Sequence, residues 1–338
     1  MKNLVYILLF TPIILIGQEY LTYNHNGINR DYIYYEPIGL PDDAPLVIVA
    51  HGYSDSHISI MNYSGMNTIA DQNGFAVCYP KGTTDNQWGG QNFWNVGYDF
   101  HEGYSVNDVD FMIELSQHLQ ITYNLSVDNT FMTGMSNGAE LCYLIDCEAP
   151  GFFKAFAPVA GTIFPNGLTN NSCNELSVPF FEIHGVNDDV TLFEGDANDQ
   201  FWGPYLSIDS IINLWINING LSDLTIDTIP NLNTNNKYTV SYKYSSPFGS
   251  NEFWLYKHKD GHSWSVDDII VEEEVWSFFS KYLTSDNPVN ISEVNNIESN
   301  KIKIKTLDLL GKISDDKLFT PLIDIYDDGS MLKRIVID

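Results

Sequence analysis

Residues 129–147 carry the feature that most restricts the fold. Asn129–Thr133 reads as a strand and Ala139–Cys147 as a helix, and between them stands Gly134-Met-Ser-Asn-Gly138, the only G-x-S-x-G in the chain. Turning a strand into a helix over so few residues strains the backbone of Ser136 and lifts its Oγ clear of the sheet. The flanking glycines leave space where side chains would clash. Ser136 is therefore a candidate nucleophile.

The rest of the chain supplies a matching frame. Leu46-Val-Ile-Val-Ala50 is a continuous apolar run, as expected of a strand buried on both faces, and Phe75–Tyr79 is another. Val106–Tyr123 places Val109, Met112, Ile113, Leu115 and Leu119 at helical spacing. Ala155–Ala160, Phe180–Ile183 and Phe253–His258 read as further strands. Ile208–Ile218 and Asp267–Tyr282 read as helices, the second with an acidic first half. Strands alternating with helices over roughly 250 residues predict an α/β fold with a mostly parallel sheet flanked by helices. Composition changes after Leu283. Residues 285–289 form a linker, and 290–338 alternate strand-like runs such as Lys301-Ile-Lys-Ile-Lys305 with turns, which predicts a small all-β module.

Sixteen Lys and Arg stand against 44 Asp and Glu, a formal net charge of −28. Residues 18–284 hold only 8 basic side chains against 34 acidic ones. Phosphate recognition needs clustered cations, so nucleic acid is excluded as a partner. Apolar residues make up 44%, enough for a sizeable core. Lys2, the apolar run Leu4–Ile16 and the small Gly17 read as a secretory signal peptide over residues 1–17, too short to span a bilayer. No later stretch approaches 18 apolar residues, so the processed chain is expected to lack a transmembrane segment.

Export permits disulfides. Cys78 falls inside an apolar strand, Cys142 and Cys147 lie on different faces of one helix, and a bridge from Cys147 to Cys173 is left open. No Cys-x-x-Cys pair points to zinc, and Asp196-Ala-Asn-Asp199 reads as a polar loop rather than a calcium site. No metal is expected.

A serine nucleophile needs a base, and the base needs an orienting acid. In α/β-hydrolases the chain order is Ser, then acid, then His. His262, in Gly261-His-Ser-Trp264 between a strand and the last helix, is the expected base. His25, His57, His101 and His118 precede the serine, while His184 and His258 belong to strands. The loop after Phe180–Ile183 offers Asp188 and its neighbour Asp189 as the acid. Ala50-His51-Gly52-Tyr53 follows the first buried strand, where this fold supplies its second oxyanion-hole amide. The N–H groups of Tyr53 and Asn137 would then converge on the developing negative oxygen.

Taken in order, His51-Gly52, Trp94-Asn95, Val106-Asn-Asp-Val-Asp-Phe111, Gly134-Met-Ser-Asn-Gly138, Ala157-Pro-Val-Ala-Gly161, His184-Gly-x-x-Asp188 and Gly261-His-Ser-Trp264 resemble the secreted polyhydroxybutyrate depolymerase and feruloyl/acetylxylan esterase group, carbohydrate esterase family one. The resemblance spans about residues 28–283. It implies an α/β-hydrolase that cleaves carboxylic esters without a cofactor, through Ser136, His262 and Asp188. Asp189 stands where the family often has Pro, and Ala139 where it often has a second Gly. The expected partner is an ester-bearing polysaccharide or polyester. Feruloyl or acetyl esters on plant polysaccharide come first, polyhydroxyalkanoate second, and a catalytically silent glycan- or polymer-binding module is the reading from another class. Among Trp88, Phe93, Trp94, Tyr98 and Trp264, the two favoured as walls of the substrate site are Trp94 and Trp264. The tail, with Leu307-Asp-Leu-Leu-Gly-Lys312, Thr320-Pro-Leu-Ile-Asp-Ile-Tyr-Asp-Asp-Gly329 and Lys333-Arg-Ile-Val-Ile-Asp338, resembles the C-terminal sorting domain of type IX secretion substrates. That resemblance implies contact between residues 290–338 and the secretion machinery, and a secreted or cell-surface location.

Overall fold

The computed structural model describes residues 17–86, 89–165, 173, 178–229, 237–247, 249, 251–284, 303–308, 321–326 and 331–335. The expected signal peptide up to residue 16, the linker at 285–289 and Trp88 lie outside the described residues. The chain divides into two compact units, Met1–Thr284 and Ser285–Asp338.

The first unit is built on a ten-stranded sheet. Its strands are β1 (Gln18–His25), β2 (Ile28–Tyr35), β3 (Leu46–Ala50), β4 (Ala76–Pro80), β7 (Thr130–Met135), β8 (Phe156–Val159), β9 (Phe180–Gly185), β10 (Asp223–Ile229), β11 (Thr239–Ser245) and β12 (Glu252–His258). A separate hairpin pairs β5 (Thr83–Asp85) with β6 (Gln91–Phe93). The sheet order is β1-β2-β4-β3-β7-β8-β9-β12-β11-β10. The six central strands, β4 to β12 in that order, are parallel to their neighbours. Two antiparallel strands close each side.

Helices α1 (His57–Tyr63), α2 (Met66–Asn73), α3 (Asp108–Thr122), α4 (Asn137–Glu148), α5 (Ile208–Asn219) and α6 (Val271–Ser280) cover the two faces. One core gathers apolar side chains of α3, α4 and α5, including Phe111, Leu141 and Trp215. The other gathers those of α1, α2 and α6, including Ile60, Met66 and Phe279. The parallel strands are therefore covered twice. Every residue of β3, β4, β7, β8 and β9 is buried, which is why these strands are rich in apolar residues, with Glu182 and His184 of β9 the buried ionisable exceptions. The outermost strand β10 is almost wholly exposed and carries Asp223 and Asp227, charges that discourage pairing with another sheet edge.

Cys147 at the end of α4 is bonded to Cys173, the bridge the spacing had left open. A loop of this length gains about 3–4 kcal/mol from the reduced freedom of the unfolded chain. Cys78 and Cys142 are buried free thiols. In the second unit, β13 (Lys303–Asp308), β14 (Pro321–Tyr326) and β15 (Met331–Ile335) form a three-stranded antiparallel sheet.

Candidate active site

The expected nucleophile sits at the junction of β7 and α4. Ser136 has φ 55° and ψ −119°, a conformation L-residues rarely adopt, and serves as the residue before the first turn of α4. Its amide donates to Val159 O on β8 at 2.9 Å and its carbonyl accepts from Glu140 N at 2.9 Å, so both neighbours hold the strained residue. The flanking glycines are required by contact. A Cβ on Gly134 would stand 2.6 Å from the Gly138 carbonyl carbon, and one on Gly138 would run into the Ala50 carbonyl. The end of β3 thus lies directly against the turn.

Residues 51–53 continue from β3 over the serine. A Cβ on Gly52 would be 3.4 Å from Ser136 Cβ. His51 is fully buried. Its Nε2 accepts the Gly82 amide at 2.9 Å, so the proton belongs on Nδ1, which faces Gly52 O at 2.7 Å. Burial lowers its pKa to about 4, and the ring stays neutral. The amides of Tyr53 and Asn137 donate to no protein acceptor among the described residues.

Trp94 ties the two halves of this region together. Its backbone N–H donates to Asn137 Oδ1 at 2.7 Å, its carbonyl accepts from Asn137 Nδ2 at 3.1 Å, and its indole N–H donates to His51 O at 2.8 Å. Through its indole and its backbone, one buried residue therefore links residue 51 to residue 137. Trp94 and Trp264, expected as walls of the substrate site, do not line the cleft beside Ser136. Trp94 is 0% exposed and Trp264 3%, and each belongs to a core on its own side of the sheet. Aromatic content alone does not separate core rings from cleft rings. Those that line the cleft beside Ser136 are Tyr98, Phe164, Trp202 and Tyr205, with Glu140, Thr162 and Val190.

Asp188 and His262 meet across neighbouring strands. β9 and β12 are parallel, so the loops leaving their C-terminal ends lie side by side. They are joined by Val186 N donating to His258 O at 2.9 Å and Asn187 Nδ2 to Lys259 O at 2.6 Å. His262 Nδ1 lies 2.8 Å from Asp188 Oδ2. Asp188 Oδ1 accepts the amides of Val190 and Thr191 at 2.9 and 2.8 Å. Burial pushes the Asp188 carboxyl up, but the hydrogen bonds and charges of His262 and His184 outweigh it and hold the carboxyl below its ordinary value. Asp189 is exposed and turned to solvent. No hydrogen bond joins Ser136 Oγ to His262 among the described residues. Catalytic hydrogen bonds in free enzymes are often long and tighten only with substrate bound.

Two features of the cleft had no sequence signal. Glu140 is 5% exposed; burial lifts its carboxyl to about 7, against the hydrogen bonds from Tyr98 and Asn137. Trp202 is held by the loop before it: Asp199 Oδ1 accepts the amides of Phe201 and Trp202. Asp196 likewise accepts Asn198 N at 2.7 Å, so these carboxylates make turns.

Comparison with known proteins follows the same lines. Residues 30–182 match the model of the family described as Esterase PHB depolymerase. The chain is 27% identical over 278 residues to a bifunctional acetylxylan esterase/xylanase of Neocallimastix patriciarum, covering 79% of this chain and 35% of that protein. It is 23% identical over 201 residues to poly(3-hydroxyalkanoate) depolymerase C of Paucimonas lemoignei, covering 60% and 46%. The chain spans less than half the length of these relatives. It superimposes on an acetyl xylan esterase from Aspergillus awamori with a TM-score of 0.55 at 15% identity, covering 78% of this chain and 98% of the other. The fold is that of the α/β-hydrolases.

Proposed function

We propose that the protein is a serine carboxylic-ester hydrolase that removes short acyl groups from a polymer. The observation that carries this reading is Ser136 at positive φ on the β7–α4 turn, lining the same cleft as Val190 and Thr191 of the Asp188 loop. In this reading Ser136 Oγ attacks the ester carbonyl and His262 takes its proton, later giving it to the leaving alcohol. Asp188 keeps the imidazole in the tautomer with Nδ1 protonated and stabilises the imidazolium. The amides of Tyr53 and Asn137 stabilise the oxyanion, and water completes hydrolysis of the acyl-enzyme. Every group in this sequence comes from the chain itself.

Cleft size supports acetyl over feruloyl. The cleft beside Ser136 is narrow and walled by the rings of Tyr98, Phe164, Trp202 and Tyr205, which favours a small acyl group. Polyester is the second reading, favoured by the exposed apolar side chains Val190, Leu192 and Phe201 around the cleft. Residues 1–17 and 290–338 are proposed as export signals, on their resemblance to a signal peptide and a type IX sorting domain.

The test is a panel assayed with the mature chain, residues 18–338: p-nitrophenyl acetate, p-nitrophenyl butyrate, methyl ferulate, acetylated xylan and polyhydroxybutyrate film. We expect acetyl esters to be turned over at least about tenfold faster than the ferulate. Equal rates on acetate and ferulate would sink the short-acyl assignment. No turnover of any ester would leave only a polymer-binding module.

A further inference from the structure

Behind Asp188 lies a second buried ionic pair that the proposed mechanism leaves unused. Glu182 and His184 stand two residues apart on β9, so they project to the same face of the sheet, toward α4. The side chains of Glu182, His184 and Asp188 are all 0% exposed. His184 Nδ1 lies 2.8 Å from Glu182 Oε1. His184 Nε2 lies 2.9 Å from Thr191 O and 3.5 Å from Asp188 Oδ2. Thr191 also donates its amide to Asp188 Oδ1, so the loop 188–191 closes around this ring.

The hydrogen-bond inventory decides the protonation state. Glu182 Oε2 accepts the Tyr143 hydroxyl at 2.8 Å, and Oε1 accepts the Gly161 amide at 3.3 Å. Burial raises the Glu182 carboxyl, while the donors on both oxygens and the His184 ring all favour its ionised form. In that form Nδ1 of His184 donates to it. Nε2 faces only a carbonyl and a carboxylate oxygen, so it must donate as well. Both nitrogens carry hydrogen, and the ring is an imidazolium. Burial would lower its pKa, but the hydrogen bond and charge of Glu182, aided by Asp188, raise it instead.

Among the other titratable groups around it, Tyr143, Cys142 and His258 are neutral, and the charges are those of Glu140 and Lys257. Tyr143 and Cys142 of α4 are buried and kept neutral by burial beside Glu182. His258, on β12, is held neutral by burial, with a pKa of about 4. Lys257 lies across the Phe193 ring, its Nζ 4.0 Å from the centroid. Glu140 is pushed up to about 7, and His262 is reached only through Asp188.

We propose, resting on the reading of Asp188 as the catalytic acid, that His184 is a positioning residue: a resident imidazolium, with Glu182 as counter-ion, that keeps the Asp188 carboxylate aimed at His262. Its positive charge also offsets part of the Asp188 charge felt by His262. Without Glu182, burial lowers the His184 ring and it gives up its proton, so removing either residue strips the positive charge beside Asp188, and His262 then holds its proton more tightly.

The experiment measures kcat/KM for p-nitrophenyl acetate against pH in the mature chain and in His184→Gln, Glu182→Gln, the double variant and Asp188→Asn. His184→Gln and Glu182→Gln should each move the acid limb upward by roughly half to one pH unit. The double variant should match either single one, because the counter-ion has no role without the cation. Acid limbs that stay in place while Asp188→Asn loses at least about a hundredfold would overturn the proposal and leave the triad reading standing. An active Asp188→Asn would instead bring down the triad reading. Should the variants fail to fold, nitrogen NMR of the histidine rings in the unaltered protein decides. His184 should be doubly protonated at pH 7, and a neutral ring at that pH would contradict the proposal.

Discussion

Ser136 is fixed by close backbone packing and neutral hydrogen bonds: Gly134 and Gly138 pressed against Ala50, His51 without charge, Trp94 clipping residue 51 to residue 137. Asp188 and His262 are fixed differently, by a buried row of charged groups that starts at Glu182 and passes through His184. The first region is a problem of volume and should respond to atoms added or removed. The second is a problem of charge and should respond to pH and to neutral isosteres. In the proposed mechanism the first region would supply a fixed serine and the second an imidazole oriented by a buried carboxylate.

The largest effect tests the packed side. Ser136→Ala should lower ester turnover by roughly 10³-fold or more, with a thermal midpoint close to that of the parent, since the turn tolerates a small side chain. On the charged side, Asp188→Asn should cost roughly 10²-fold or more and Asp189→Asn less than about tenfold. Turnover of the two variants compared at several pH values checks this. A crippled Asp189→Asn would move the acid by one residue and break the assignment of charge to the buried row.

Trp94→Phe sharpens the comparison from the packed side. It keeps an aromatic ring but opens a small cavity and strips the donor from His51 O, leaving a buried carbonyl unpaired at about 1–3 kcal/mol. We expect turnover to fall by about tenfold and the thermal midpoint by a few degrees, with no change in the shape of the pH profile. A shifted pH profile would mean that the two regions are not separable.

Glu140 is the carboxyl that the packed side does contain, and its titration probes the boundary. Its folded pKa is raised to about 7 from an ordinary value of 4.5. A raised carboxyl favours the folded state while protonated, so stability from this site is present below about pH 4.5 and is lost as pH rises through 7. Glu140→Gln should therefore raise the thermal midpoint at pH 8 and leave it nearly unchanged near pH 4.5, as scanning calorimetry at the two pH values would show. The smallest effect is expected from deleting residues 285–338, which form a compact unit of their own. Midpoint and turnover of the first unit should stay nearly constant, and a large drop in either would tie the tail to the catalytic region.

Legibility in the sequence follows burial. β3, β4, β7, β8, β9 and β12 are readable because strands covered on both faces are rich in apolar residues, even where β9 buries Glu182 and His184. β1, β2, β10 and β11 are not, since half-covered or exposed strands mix polar and apolar residues and carry no such run. α1 and α2 are only 7 and 8 residues long, too short for a helical period to stand out. At the site, chain order and loop position point to Ser136 and His262 and leave Asp188 and Asp189 open; the resemblance at His184-Gly-x-x-Asp188 favours Asp188, and the structure brings Asp188 within 2.8 Å of His262. The role of Trp94 is not readable, because its work is done by one N–H and a backbone peptide, which residue type does not disclose. Glu140 and His184 were hidden for a related reason: a buried charge is defined by its partners, and those come from α4, β9 and distant loops.

The central claim, that Ser136 is an activated nucleophile, is tested most directly by covalent labelling. The mature chain is treated with a fluorophosphonate probe at neutral pH and the adduct located by peptide mass spectrometry. The account predicts one adduct, on the peptide containing Ser136, and none in Ser136→Ala. An adduct on another serine such as Ser54, or no adduct on a folded protein, would contradict it.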